Sequence, residues 1–237
     1  GSNWLLSANI GLLESKLVDV FAIDVLDRTA GNSDFVVLKN AASYSNCAVS
    51  AEGYATILGA IEAGQLGAGS TAGLCLGSFA GQEATFGLGN VSYVDGDGSL
   101  RTIGALTPFD GVNKNLSDNN LPGAPDTTLN LAAEYTFPSL GNSSWDLTIR
   151  GDYYYQTESF ARIWNVPRDE ISSWENVNLS LVLANNDTGF QITAFAKILF
   201  DEEVITGAYL QDDSPGLYSN VFLTEPALYG VTISKSW

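Results

Sequence analysis

The chain has 237 residues, and its 27 acidic against 10 basic side chains give a net charge of −17. Nucleic-acid binding needs a basic footprint, so this charge argues against it. The sequence contains no histidine, which excludes His-based catalytic triads and His-ligated zinc sites. We therefore expect no enzyme activity, no metal site and no cofactor. No run of about 18 apolar residues predicts a membrane-spanning helix, but transmembrane strands alternate apolar and polar residues and escape that criterion.

The first predicted strand lies near the start of the chain, where one face carries Trp4, Leu6, Ala8, Ile10 and Leu12. Residues 20–125 follow it without a pattern long enough for a second such strand. A structureless loop of this length is uncommon in a folded domain, so the segment must carry its own structure or be partly mobile. Within it, 34–39 and 101–106 are candidate short strands, and the Ala- and Gly-rich stretch 51–76 favours a short helix plus coil.

The two cysteines, Cys47 and Cys75, both fall inside this long segment. Two cysteines without nearby ligands are too few for a zinc site, which needs about four. A disulfide closing a surface loop would indicate an oxidising compartment. Two buried free thiols are the alternative.

The stretch from Asp95 to Gly98 has the Asp-Gly-Asp-Gly sequence of part of a calcium-binding loop. The calcium pattern also requires a glutamate at a fixed later position, and residues 100–106 supply none. A polar turn is the prediction here.

Period-two alternation dominates the C-terminal half and predicts strands over 129–137, 145–156, 177–184, 190–201 and 229–237. In each, one face is mainly apolar. Four of their charged side chains lie on the other face, which would line the interior of a barrel, and they form the expected lumen-facing set: Asp146, Arg150, Asp152 and Lys197. Lys235 interrupts the apolar face of the last strand.

Three features favour a membrane barrel over a soluble sandwich. The alternating runs reach roughly ten residues, which suits a tilted membrane strand. Short turns at 138–144 and 185–189 alternate with long connections at 20–125, 157–173 and 202–226, as in up-and-down barrels. Aromatic residues lie at the ends of the runs, where interfacial girdles occur: Trp4, Tyr135, Phe137, Trp145, Tyr153, Tyr155, Trp174, Phe190, Phe200 and Trp237.

Motifs in the region 121–237 resemble those of TonB-dependent outer-membrane receptors. Pro122, Pro125 and Thr127 resemble the start of a late barrel strand in that family, and the Arg-Gly-Asp-Tyr of 150–153 is similar to the strand that follows it. Residues 198–203 (Ile-Leu-Phe-Asp-Glu-Glu) resemble the family's Asn-Leu-Phe-Asp-Glu box, with Ile198 in place of the asparagine. Pro226 to Gly230 resembles the opening of the last strand, with Ala227 in place of an arginine.

The resemblance implies an all-β fold, a transmembrane antiparallel up-and-down barrel of about 22 strands with a plugged lumen. This chain, 1–237, would supply about the last six strands: 20–125 as a long extracellular loop, and 126–237 as the last strands with the C-terminal assembly signal. The plug domain has no counterpart here. The assembly signal comprises Tyr229, Val231, Ile233 and Trp237.

The resemblance also implies function and location, namely TonB-dependent uptake of a scarce nutrient, such as a ferric siderophore, across the outer membrane of a Gram-negative bacterium. The expected partners are outer-membrane lipid and lipopolysaccharide, the remainder of the barrel and plug, the TonB complex indirectly, and a small nutrient ligand. Arg162, Trp164 and Arg168 in a long loop are candidate ligand contacts, although such residues more often pack a loop.

Two alternatives stay open. A self-contained eight-strand outer-membrane barrel, serving as a channel or anchor, would require two more membrane-length strands inside 20–125. A soluble secreted β-sandwich acting as a binding module would be stable without detergent.

Overall fold

Sixteen β-strands and two α-helices are found in the described part of the chain (residues 3–40, 42, 43, 45–211, 213 and 215–236) in this computed structural model. The strands are β1 (Trp4–Leu12), β2 (Phe21–Ala22), β3 (Phe35–Leu38), β4 (Cys47–Ser50), β5 (Asn90–Val94), β6 (Leu100–Gly104), β7 (Lys114–Asn115), β8 (Thr127–Phe137), β9 (Trp145–Gln156), β10 (Ser159–Phe160), β11 (Glu170–Ile171), β12 (Trp174–Asn185), β13 (Phe190–Lys197), β14 (Ile205–Leu210), β15 (Ser219–Leu223) and β16 (Leu228–Lys235). The helices are α1 (Ala51–Glu62) and α2 (Ser70–Cys75), and the 3-10 turns are Glu83–Phe86, Leu140–Asn142 and Pro167–Asp169.

Six long strands form one antiparallel sheet in the order β1-β8-β9-β12-β13-β16. This is chain order, so the prediction of six strands in an up-and-down arrangement is confirmed. The strands have 8 to 12 residues, which is longer than the usual strand of about five or six.

The connections of the sheet differ in length at its two ends. Residues 138–144 join β8 to β9 and residues 186–189 join β12 to β13, both as short turns. The other end carries the long connections 13–126, 157–173 and 198–227. In the turn of 186–189, the side chain of Asn185 accepts hydrogen bonds from the backbone of Asp187 and Thr188, the local bonding for which asparagine is favoured in turns.

Strand β13 ends four residues earlier than the predicted strand 190–201. The next residue, Ile198, has a left-handed backbone with φ of 52°, which a β-branched side chain strongly disfavours. Asparagine tolerates this conformation far better. The asparagine of the resembling family motif therefore suits the turn geometry seen here, and isoleucine carries strain at that position.

We expect Ile198→Asn to stabilise the protein by about 1 kcal/mol, because it relieves the left-handed strain at little packing cost to a half-buried side chain. Denaturant unfolding of the purified protein would measure the gain. The matched control is Ile192→Asn, since Ile192 lies in extended backbone within β13 and should lose stability. Equal losses in both variants would show that Ile198 is unstrained.

The chain divides into two compact units. The first comprises residues 1–16, 120–208 and 221–237, and it contains the six-stranded sheet. The second comprises residues 17–119 and 209–220. The segment predicted as the long loop 20–125 is thus largely a folded unit, and residues of the later connection 202–226 belong to it.

The second unit confirms the short elements predicted within it. Strand β3 lies inside 34–39, β6 overlaps 101–106, and 51–76 contains both helices. Among its described residues, the longest strands, β5 and β6, have five residues each. They are shorter than the strands of the six-stranded sheet, which have 8 to 12 residues.

Helix α1 packs into the core of the second unit, to which it contributes Ile57. Ser50 caps it, since its hydroxyl accepts a hydrogen bond from the Gly53 amide (2.8 Å) and donates one to the Ala105 carbonyl (2.8 Å). Its buried residues Gly53, Ile57 and Ala60 recur at helical spacing. Gly53 admits close packing there, because a Cβ atom would lie 2.1 Å from the Ala105 oxygen.

Cys47 and Cys75 form a disulfide that links β4 to the end of α2. Cys47 belongs to the buried cluster of this unit with Val49, Ile57, Leu74 and Leu106. The bond closes a 28-residue separation and restricts the unfolded chain accordingly.

A buried ion pair holds the segment 209–220 within the second unit. Asp213 pairs with Arg28, and both side chains are almost fully buried. The Asp213 carboxylate also accepts from the Asn46 amide, and its backbone carbonyl accepts from the Lys39 ammonium. Arg28 donates further to the Asp110 carbonyl at 2.8 Å.

Candidate functional site

The candidate site is the six-stranded sheet, whose two faces differ in chemistry. Side chains alternate between faces along a strand, and directly opposed residues share a face. The pairing Trp4↔Tyr135, Tyr135↔Ile149, Ile149↔Leu181, Leu181↔Ala194 and Ala194↔Val231 therefore defines one face across all six strands. We call it the apolar face and the opposite one the polar face.

The apolar face is hydrophobic over nearly its whole height. Its polar members lie at the strand ends: Thr127, Glu175, Asn185 and Lys235. The rest of the face comprises Trp4, Leu6, Ala8, Ile10, Leu12, Leu129, Leu131, Ala133, Tyr135, Phe137, Trp145, Leu147, Ile149, Gly151, Tyr153, Tyr155, Val177, Leu179, Leu181, Leu183, Phe190, Ile192, Ala194, Ala196, Tyr229, Val231 and Ile233.

Much of this face is exposed in the part of the chain that the structure describes. Thirteen of its large apolar side chains are exposed, from 37 % for Phe190 to 75 % for Leu12, whereas only Leu5 and Leu228 are so exposed on the polar face of the described strands. From Leu129 to Phe137 the strand makes eight residue-to-residue steps, about 26 Å at about 3.3 Å per step. Soluble monomers rarely expose apolar patches beyond a few hundred Å².

Aromatic side chains lie at both ends of the apolar face. Trp4, Tyr135, Phe137, Trp145 and Phe190 lie at the short-turn end, where the Trp4 and Tyr135 rings are 4.6 Å apart. Tyr153, Tyr155 and Tyr229 lie toward the long-connection end.

Two of the predicted girdle aromatics lie elsewhere. Trp174 opposes Gln156 on the polar face, because it stands an odd number of residues from Val177. Phe200 lies beyond the end of β13. Trp237, also in the predicted assembly signal, is outside the described residues, while Tyr229, Val231 and Ile233 are on the apolar face of β16.

The polar face carries all four residues of the predicted lumen set. Arg150 binds Asp152 through two nitrogens, with Nη2–Oδ1 at 2.6 Å and Nε–Oδ2 at 3.0 Å, and Glu134 lies 3.6 Å from the same guanidinium. Asp146 accepts from the Ser139 amide and from Asn186, which ties the two short turns together. The ammonium of Lys197 lies 6.0 Å from the Phe195 ring centroid.

The register of the sheet also aligns a row of polar residues that the sequence did not predict. Asn9 opposes Asn130, Asn130 opposes Tyr154, and Tyr154 opposes Asn176. The four residues come from four strands far apart in the chain, so only the register brings them together. The nearest sequence signal is that each lies on the non-apolar side of its own alternating run.

The three predicted loop contacts are only partly available to a ligand. Arg162 donates from Nε to the buried Asp169 carboxylate at 2.8 Å, and this ion pair folds the loop 157–173. Arg168 lies 4.0 Å from the same carboxylate, and its side chain is half exposed. Trp164 is half-buried.

The Asp-Gly-Asp-Gly stretch forms a polar turn between β5 and β6, as predicted. Asp95 accepts from the backbone and side chain of Asn113 at 2.7 and 2.9 Å, and Arg101 lies 3.1 Å from Asp97. Hydrogen bonds from the hydroxyl and amide of Ser99 hold the pKa of Asp97 below its usual value. The carboxylates are thus engaged by protein groups.

Among the residues that the structure describes, no helix is both long and apolar enough to cross a membrane. The same residues contain no group of three or more His, Cys, Asp or Glu side chains placed to hold a metal ion. No protein-family model matches the sequence, and a comparison with curated proteins found no match.

Proposed function

We propose that this chain forms part of the wall of an outer-membrane β-barrel, with its apolar face toward lipid and its polar face toward the lumen. The observation that carries the proposal is the exposed apolar face with aromatic residues at both ends, opposite a face that holds every charged residue of the sheet's middle rows. Membrane barrels have this construction, an apolar band about 25 Å tall between aromatic girdles.

The unpaired edges of the sheet favour a barrel wall that continues beyond these six strands. Strands β1 and β16 are the two edges, and among described residues each pairs on one side only. Unpaired backbone groups in a bilayer cost several kcal/mol each, so only closed barrels are viable. Six strands are too few for closure, which takes about eight or more. The remainder of the barrel would pair with both edges.

The motifs at 122–127, 150–153, 198–203 and 226–230 favour one class of barrel, the TonB-dependent transporters of Gram-negative bacteria. In that class, external loops capture a scarce nutrient, such as a ferric siderophore, and TonB then acts on a plug within the lumen. This chain would supply wall, external structure and the C-terminal assembly signal. The polar face would meet the plug and the passing ligand, and the outer face would meet lipid and lipopolysaccharide.

The alternatives receive less support. An eight-strand barrel needs two further membrane-length strands, and the described strands of 17–119 have at most five residues. A soluble sandwich needs a second sheet over the apolar face, and the other described sheets have two strands each.

The test is the intact mass of the mature polypeptide extracted from its native outer membrane. A mass several times 25.2 kDa, together with uptake that stops when TonB is deleted, is the expected result. Recovery in the aqueous fraction without detergent would contradict the proposal. A mass near 25.2 kDa without a co-purifying partner would instead support the small closed barrel.

A further inference from the structure

The polar face carries a row of neutral side chains near its long-connection end. The row consists of Asn9, Asn130, Tyr154 and Asn176, directly opposed across β1, β8, β9 and β12. The next row toward the long connections is Gly11, Thr128, Gln156 and Trp174. Neither row contains a carboxylate, an ammonium or a guanidinium, although the chain has a net charge of −17.

The side-chain amides of the row have unused hydrogen-bonding groups within the part of the chain that the structure describes. Asn9 and Asn130 are exposed, and neither side chain is hydrogen-bonded to any residue that the structure describes. The Oδ1 atom of Asn176 is buried and likewise has no hydrogen-bond partner among those residues. Such groups are costly to leave unpaired away from water. Each exposed amide offers two donors and one acceptor oxygen.

A hollow of about 320 Å³ opens over this row, and Ser7, Asn9, Asn130, Tyr154 and Asn178 contribute to its lining. Arg150 and Asp152 also line it, but they are joined by a bidentate ion pair, and Glu134 lies 3.6 Å from the same guanidinium. An anionic ligand would be held by unpaired Arg or Lys, and a cationic one by unpaired carboxylates. The hollow therefore suits a ligand without net charge.

Aromatic rings border the row. The Tyr154 and Trp174 rings are 5.0 Å apart, both are half-buried, and the Tyr154 hydroxyl donates to Gln156 at 2.8 Å. Aromatic rings offer apolar contact together with a polar tip. Ligand sites commonly combine such surfaces with a few convergent polar groups.

We infer that this row binds a neutral, hydroxyl-rich ligand of the oligosaccharide class at the mouth of the lumen. Hydroxyl groups are both donors and acceptors, as the free amides are, and the C–H faces of sugar rings pack on aromatic rings. The inference rests on the proposed function, since the polar face must line a lumen, and it names the substrate class of that transporter.

The experiment uses the detergent-purified protein on a glycan array that carries neutral and anionic oligosaccharides. The test variant is the double substitution Asn9→Leu with Asn130→Leu, and the single Asn9→Leu on the edge strand is the fallback if the double variant does not assemble. The matched control is Asn90→Leu, an exposed asparagine of β5. We expect retention on neutral glycans, about tenfold weaker in the double variant and unchanged in the control.

Unchanged binding of neutral glycans by the double variant, or wild-type binding to anionic glycans only or to none, would overturn the inference. The proposed function fails separately, when the wild-type chain is absent from the membrane fraction. A chain that assembles in the membrane and binds no neutral glycan contradicts the substrate class alone.

Discussion

Replacing Leu181 by arginine is expected to destabilise the membrane-assembled protein by about 2–4 kcal/mol, the cost of a basic residue at mid-bilayer on the lipid face of a barrel. Leu181 lies at the middle of the apolar face, opposite Ile149 on one side and Ala194 on the other. Its exposed side chain lies among apolar residues of that face. The measurement is denaturant unfolding in lipid vesicles.

Val182→Arg is the matched control. Val182 is the next residue in the same strand, and it lies on the polar face between Thr148 and Thr193. In a barrel its arginine would reach lumen water, so we expect at most a small loss of stability. Equal losses for both variants would contradict the assignment of the two faces. A larger loss for Val182→Arg would reverse that assignment.

The second large effect is expected from Arg28→Met, which leaves the buried Asp213 carboxylate without its ion-pair partner. Removing one member of a buried pair typically costs about 3–5 kcal/mol. The Asn46 amide would remain on the carboxylate, and the Lys39 ammonium would remain on the Asp213 backbone carbonyl. We expect the second unit to lose stability and 209–220 to become susceptible to proteolysis.

Limited proteolysis and denaturant unfolding of the whole chain would measure this effect. Arg101→Met is the control, because Arg101 is 53 % exposed and pairs with Asp97 at 3.1 Å. The buried Asp95, 3.7 Å from Arg101, keeps its hydrogen bonds from Asn113. Exposed pairs are worth about 0–1 kcal/mol. The double variant Arg28→Met with Asp213→Leu should recover part of the loss, since it leaves no unpaired charge. Indistinguishable stability of Arg28→Met and Arg101→Met would contradict this account.

Alternation along single strands was enough to predict the six strands, because a period of two is visible whatever the partner strand is. The alternation of short and long connections predicted their up-and-down order. The period of two also predicted which side chains share a face. The prediction that Trp174 belongs to the aromatic girdle of the apolar face was wrong. Trp174 is an odd number of residues from Val177 and therefore lies on the polar face. Strand β13 ends where the backbone of Ile198 becomes left-handed. Isoleucine disfavours that conformation, so the sequence predicted a longer strand.

The remaining features depend on contacts between residues distant in sequence. Arg28 and Asp213 are 185 positions apart, and no local pattern connects them. The sequence left open whether Cys47 and Cys75 form a disulfide or remain two free thiols. The row from Asn9 to Asn176 exists only in the register of four strands, so no single run of sequence displays it.

The central claim is that the apolar face meets lipid. The most direct test places a nitroxide spin label at position 181 or 182, through Leu181→Cys or Val182→Cys in the membrane-assembled protein, and measures collision with oxygen and with a water-soluble nickel chelate. The account predicts that the label at 181 collides mainly with oxygen and the label at 182 mainly with the nickel chelate. A label at 181 shielded from both reagents, as in a protein core, or reached mainly by the nickel chelate would contradict it.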